Sequence, residues 1–156
     1  MNNPPKYTIL EAKSKLEAYC AYQERCALEI TTKLKTWYIF GEDQDFLLVD
    51  LITNNFLNEE RFAEAYTSGK FRIKKWGKLK IKLHLKSKQI SDYSIKKAIN
   101  TIDEDEYLDT LNNLANKKWK SLNGSNWGKS SKLKRYLYLK GYENQLINDI
   151  VFTIVD

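Results

Sequence analysis

The chain has 156 residues, 26 of them Lys or Arg and 20 Asp or Glu, which leaves a formal charge of +6 with 42% of positions hydrophobic. A chain near this length buries roughly 70% of the surface its unfolded form exposes, enough for one domain or a short array of small units. Six Gly and two Pro are too few for a collagen-like or linker-dominated chain, and 4 Trp, 10 Tyr and 6 Phe are too many for a disordered one.

The chemistry is limited in the same way. Cys20 and Cys26 are the only cysteines and His84 the only histidine, so a zinc site would need carboxylates and a Ser-His or Cys-His pair has one possible base. On one helix the two thiols would lie about 240° apart, which disfavours a disulfide, and both read as reduced packing residues. His84 has no partner constellation around it and reads as a surface or packing residue. The chain is expected not to be an enzyme and to need no cofactor or metal. No apolar run approaches the ~18 residues of a membrane span, and Met1 to Tyr7 lacks the apolar core of a secretory signal, so a cytoplasmic protein with no membrane partner is expected.

Read in order, residues 1–8 form a disordered tail, because Pro4-Pro5 is a poor start for a helix. From Leu10 to Leu34 the apolar Leu16, Tyr19, Cys20, Ala27, Ile30 and Leu34 recur three and four apart, the helical period, with Thr8 and Ser14 as possible caps. A polar connection, Gly41 to Asp45, precedes a helix begun by Phe46 and Leu47. Asn58-Glu59-Glu60-Arg61 then offers a cap and first-turn acids before Phe62, Ala63, Ala65 and Tyr66. Leu79, Ile81, Leu83 and Leu85 alternate with Lys80, Lys82, His84 and Lys86, which alone would suggest a strand. They also form i,i+4 pairs, and no partner strand is evident, so a helix is predicted.

Residues 85–95 align with residues 137–147, and Ala98-Ile99 with Ile150-Val151. In both copies a helix ends in a basic residue, an apolar residue (Ile90, Tyr142) packs at the corner, and a polar run opens the next helix. Leu34 to Ile39, followed by a longer link, looks like a third copy. A period near 50 with two or three helices per unit predicts an all-α fold, a short helical array over residues 9–57, 58–102 and 103–156 in which each unit covers the apolar side of the next.

Charge is distributed unevenly over these units. Residues 1–57 are net -2, residues 58–102 carry 12 basic and 4 acidic residues for +8, and residues 103–156 are neutral. Lys70, Arg72, Lys74, Lys75, Lys78, Lys80, Lys82, Lys86 and Lys88 follow one another with no acid between them, the pattern of a contact for nucleic acid or an acidic protein patch, or of a solvated helix face. A thinner basic stretch runs from Lys117 to Lys140. The four tryptophans read mostly as packing anchors; Trp76, set among lysines, is the best candidate for an exposed stacking or interface residue.

Leu57 to Tyr66, with its Arg61-Phe62-Ala63-x-x-Tyr66 core, followed by Trp76-Gly77-Lys78 to Leu85 and by Ile90-Ser91, resembles the central repeat of the RecX regulatory proteins. Arg25, Leu28-Glu29-Ile30 and Lys33-Leu34 are similar to that family's opening helix pair, and Leu137 to Ile150 to its closing pair. Asn58 stands where the family commonly has an acid and Gln89 where it commonly has Gly. The resemblance implies an elongated all-α array of three tandem three-helix repeats, no catalytic residues, and binding in the groove of the RecA filament on DNA that modulates, and usually inhibits, ATP hydrolysis and strand exchange. The partner and DNA contacts expected are Lys70, Arg72, Lys74, Lys75, Trp76, Lys78, Lys80 and Lys82, with Arg61, Phe62, Ala63, Tyr66 and Gly77 as the motif. The partners expected are a RecA-like recombinase filament and single- or double-stranded DNA, met by a monomer. Arg61 admits two uses, pairing with a neighbouring acid to fix the packing or meeting the partner. The competing function is a stand-alone basic helical protein that binds DNA or RNA backbone without reading sequence.

Overall fold

Helices begin where a side-chain oxygen can accept the orphan amide protons of a first turn. Thr8, Asn58, Ser91, Asp103 and Ser125 each do so, accepting from the amide three residues on. In the computed structural model, which describes residues 3–156, nine helices follow: α1 Ile9–Tyr22, α2 Ala27–Thr36, α3 Gly41–Thr53, α4 Glu59–Arg72, α5 Lys78–Ser87, α6 Asp92–Ile99, α7 Glu104–Ser121, α8 Asn126–Lys140 and α9 Asn144–Val155. No strand occurs among the described residues, and the alternating Leu79–Leu85 segment lies within α5 with only Ile81 and Leu85 buried. The helices pack mainly as three successive triples, α1–α3, α4–α6 and α7–α9, here called units 1, 2 and 3.

The same corner recurs in each unit. After α2, α5 and α8 one residue takes the left-handed conformation, Tyr38 (φ 58°), Gln89 (φ 62°) and Gly141 (φ 101°). The next residue, Ile39, Ile90 or Tyr142, is buried and its N–H returns to the carbonyl of Leu34, Leu85 or Leu137 at 3.0, 3.2 and 3.2 Å. This six-to-one closure ends a helix and turns an apolar residue under it. Gln89 therefore keeps the turn without glycine, and the third copy has a link as short as the others.

Two expectations are corrected. Gly41–Asp45 is not a connection but the start of α3, where Glu42 and Asp43 suit the positive end of the helix. The tail expected over residues 1–8 is held from Lys6 onward: the Lys6 N–H donates to the Trp37 carbonyl at 2.8 Å, Tyr7 packs edge-on to Trp37, and Thr8 and Glu11 form a capping box. Met1 and Asn2 lie outside the described residues. Cys20 and Cys26 belong to different elements, Cys20 to α1 and Cys26 to the cap of α2; burial raises both thiol pKa values above the usual range.

The buried side chains form two cores. Unit 1 closes over Leu16, Ile30, Leu34, Trp37, Leu47 and Leu51. Units 2 and 3 share a single continuous core through Phe62, Phe71, Ile81, Leu85, Tyr107, Leu111, Leu137 and Tyr142.

Candidate functional site

The basic residues of unit 2 lie where α4, the α4–α5 link and α5 meet unit 3, so their surroundings depend on that junction. Lys75 takes the left-handed conformation (φ 60°), and its carbonyl accepts from the buried Tyr142 hydroxyl at 2.9 Å. Gly77 N–H donates to the Lys140 carbonyl at 2.8 Å and Leu79 N–H to the Gly141 carbonyl at 3.0 Å. A Cβ on Gly77 would fall within 3.0 Å of Gly141 and Tyr142 backbone atoms, and one on Gly141 within that distance of Lys80. Only two glycines let the backbones approach this closely. Beneath them Tyr107 accepts from the Lys78 N–H at 2.9 Å and donates to Glu143; burial, then the Glu143 carboxylate, raise its pKa well above the ordinary tyrosine value.

This geometry divides the expected contact residues. Lys78 is committed inward: its ammonium pairs with Glu104 and lies 4.5 Å from the centre of the Tyr107 ring. Arg72 pairs with Glu106 at 3.6 Å. Trp76 is half-buried against the core rather than exposed, with the His84 ring tilted 53° against it (4.6 Å between ring centres) and Lys70 and Lys80 over its ring at 4.9 and 4.5 Å. Burial, then Lys80, Lys70 and Lys88, lower the His84 pKa, favouring the uncharged ring in this cationic nest. Lys74, Lys75 and Lys82 point to solvent without a carboxylate partner among the described residues. Lys86 also points outward, 3.9 Å from the exposed Asp92. Of the exposed cations in the dense run, only Arg72 is held by an acid of unit 3, which leaves these four.

Of the motif residues, Gly77 lies at the junction with unit 3, Phe62, Ala63 and Tyr66 pack into the core of units 2 and 3, and Arg61 reaches toward unit 1. Phe62 and Ala63 are buried and Tyr66 half-buried. Of the two uses open to Arg61, the structure has the pairing one: its guanidinium bonds Glu24 at 2.5 Å and donates to Asn55 Oδ1, the Asn55 carbonyl and the Phe56 carbonyl at 3.2, 3.0 and 3.3 Å. Glu24 lies in the α1–α2 link and Asn55 and Phe56 in the α3–α4 link, so one side chain ties unit 1 to the start of unit 2.

A whole-unit charge sum conceals a second region. The neutral total for residues 103–156 combines acids at 103–109 and 143–156 with eight cations between Lys117 and Lys140 and no acid between them. Trp127, expected to pack, is 82% exposed on the first turn of α8. This is the thinner basic stretch from Lys117 to Lys140 visible in the sequence. Among the described residues no cluster of His, Cys, Asp or Glu could hold a metal ion, and no helix is long and apolar enough to cross a membrane.

Comparison with known proteins follows the division into units. Residues 58–99 match the second three-helix domain of RecX and residues 104–151 its third three-helix domain. The chain is 37% identical over 99 residues to Regulatory protein RecX of Clostridium tetani, covering 61% of this chain and 45% of that one. It is 29% identical over 132 residues to Regulatory protein RecX of Halalkalibacterium halodurans, covering 84% and 50%. The crystal structure of RecX from Lactobacillus salivarius superposes with a TM-score of 0.81 at 25% identity, over 93% of this chain and 95% of that one. The chain spans about half the length of the curated relatives it matches. With two of its three units matched in order and the whole helical array reproduced in a solved relative, this chain belongs to the RecX family of regulatory proteins, which are not enzymes.

Proposed function

We propose that the chain binds the filament of a RecA-like recombinase and restrains its ATP hydrolysis and strand exchange during recombination and repair of DNA in the cytoplasm. The observation that carries this reading is the outward set Lys74, Lys75, Lys82 and Lys86, held on the unit that matches the family's second domain. A filament groove beside DNA is a long charged surface, and an array of units meets such a surface without needing a pocket. The outward lysines are then the electrostatic contact with acidic patches of the filament and with phosphates of its single- or double-stranded DNA, and added salt weakens it.

The test is DNA-dependent ATP hydrolysis by a recombinase with the chain added at concentrations too low to coat bare DNA. Slowed hydrolysis is expected. Reversing Lys74, Lys75 and Lys82 to Glu is expected to remove the effect while far-UV dichroism stays unchanged; Lys78 is left alone because its loss would disturb the junction. Inhibition that follows only DNA coverage would defeat the proposal.

A further inference from the structure

The acid-free stretch of unit 3 carries an arrangement that filament binding through unit 2 does not use. No ion pair joins any of its eight cations to a carboxylate among the described residues. The acids of unit 3 lie elsewhere: Glu104 and Glu106 are spent on Lys78 and Arg72 of unit 2. The junction thus draws negative charge to one end of unit 3 and leaves the C-terminal half of α7 and the whole of α8 uniformly positive.

The outer face of α8 has a definite pattern. At 3.6 residues per turn, Trp127, Ser131, Lys134 and Tyr138 fall within a narrow arc, away from the buried Leu133 and Leu137. Trp127 is 82% exposed and Tyr138 57%, and a helical rise places them about 16 Å apart along one line. Arg135 and Lys132, also exposed, lie along one side of it, the side away from Leu137. The inner seam behaves differently: Trp119 and Tyr136 are half-buried under Lys129 (4.0 Å) and Lys118 (4.9 Å). Exposed aromatics spaced along a cationic strip, with no acid to repel a polyanion, suit stacking on unpaired bases and charge contact with their backbone.

We infer that the outer face of α8 is a binding site for single-stranded nucleic acid, in which Trp127 and Tyr138 stack on bases and Lys132, Lys134 and Arg135 contact phosphates. Duplex DNA offers no free base faces, so it binds there by charge alone. This site does not depend on recombinase binding.

The experiment uses the full chain, no recombinase, and a fluorescein-labelled 20-residue oligothymidylate followed by anisotropy. Single strand is expected to bind more tightly than duplex of equal length, with quenching of tryptophan fluorescence. Trp127→Ala is expected to weaken single-strand binding roughly tenfold or more with an unchanged salt slope, and Trp127→Phe to restore most of it. Exchanging Lys132, Lys134 and Arg135 for Gln is expected to lower the salt slope by about 0.7 for each phosphate left without its cation. Lys74→Glu with Lys82→Glu, on unit 2, is the control and is expected to change binding less than Trp127→Ala. Equal affinity for duplex and single strand, an unaffected Trp127→Ala chain, or preference for polyglutamate would each overturn the inference, the last pointing to an acidic protein partner instead. A positive result here with no effect on recombinase ATPase would sink the filament proposal and leave this one standing.

Discussion

The two junctions of this array solve one problem in opposite ways. Between units 1 and 2 the main polar link is a single guanidinium, Arg61, which bonds one oxygen of Glu24 and the Asn55–Phe56 segment in a half-exposed setting. Between units 2 and 3 the backbones touch, through Gly77 and Gly141, over a buried stack of Phe71, Tyr107 and Tyr142. The core follows suit: unit 1 has its own, and only Cys26 and Leu28 of that unit join the one that runs through units 2 and 3. A side-chain link can be exchanged for another of similar reach, whereas a backbone contact admits no side chain at all. The second junction therefore fixes an angle and the first holds a neighbour.

The largest effect should come from breaking the closer junction. Gly77→Ala places a Cβ against the Gly141 and Tyr142 backbone, which cannot yield as a flexible side chain would. A loss of about 3 kcal/mol or more is expected in urea unfolding, on the scale of overpacking together with broken backbone hydrogen bonds. Next is alkali. Tyr107 and Tyr142 have folded-state pKa values raised by burial well above their unfolded value of 10.0. Folding keeps protons that the unfolded chain releases, so their contribution is intact below pH 10 and declines above it, by about 1.4 kcal/mol per pH unit for each tyrosine. Tyr107→Phe should remove about half of that tyrosine-linked slope in pH-dependent melting.

Arg61→Ala tests the other junction. It leaves the Glu24 carboxylate, whose Oε2 is already buried without a partner, and two backbone carbonyls unmet. A cost of about 2 kcal/mol is expected in chemical denaturation. Hydrogen exchange should loosen α1–α3 more than α7–α9. Arg61→Lys should recover only part of this, because one ammonium cannot reproduce the fork. The smallest effect lies within a unit. Gln89→Gly relieves a left-handed residue (φ 62°) and is expected to raise stability by about 1 kcal/mol, which measures corner strain apart from either junction.

The sequence is most readable where partners are near in the chain. The Asn58 cap, the i,i+4 pairs of α5 and the repeated corner at Ile39, Ile90 and Tyr142 are decided within about five residues, and all three are visible in periodicity and turn chemistry. What cannot be read is which lysines remain free. Lys78 meets Glu104 and Arg72 meets Glu106 across a unit boundary, and no local pattern announces either pair. Trp76 and Trp127 can be ranked from sequence only by their neighbours, yet exposure is set by the third dimension: the lysines around Trp76 cover it, while the glycine and serines around Trp127 leave it bare. Summing charge by unit averages away the α8 strip, because the compensating acids sit at the opposite end of the same unit.

The unequal junctions also bear on mechanical force. A ligand moving along its own axis, as a filament does when subunits turn over, pulls on whatever lies against it. Tension entering through unit 3 would be shared among several backbone hydrogen bonds arranged side by side, and units 2 and 3 would move as one piece. Tension entering through unit 1 would meet only the guanidinium of Arg61 and the apolar contact of Cys26 and Leu28, with no such row of backbone bonds, so unit 1 would yield first and act as a fuse that spares the rest of the array.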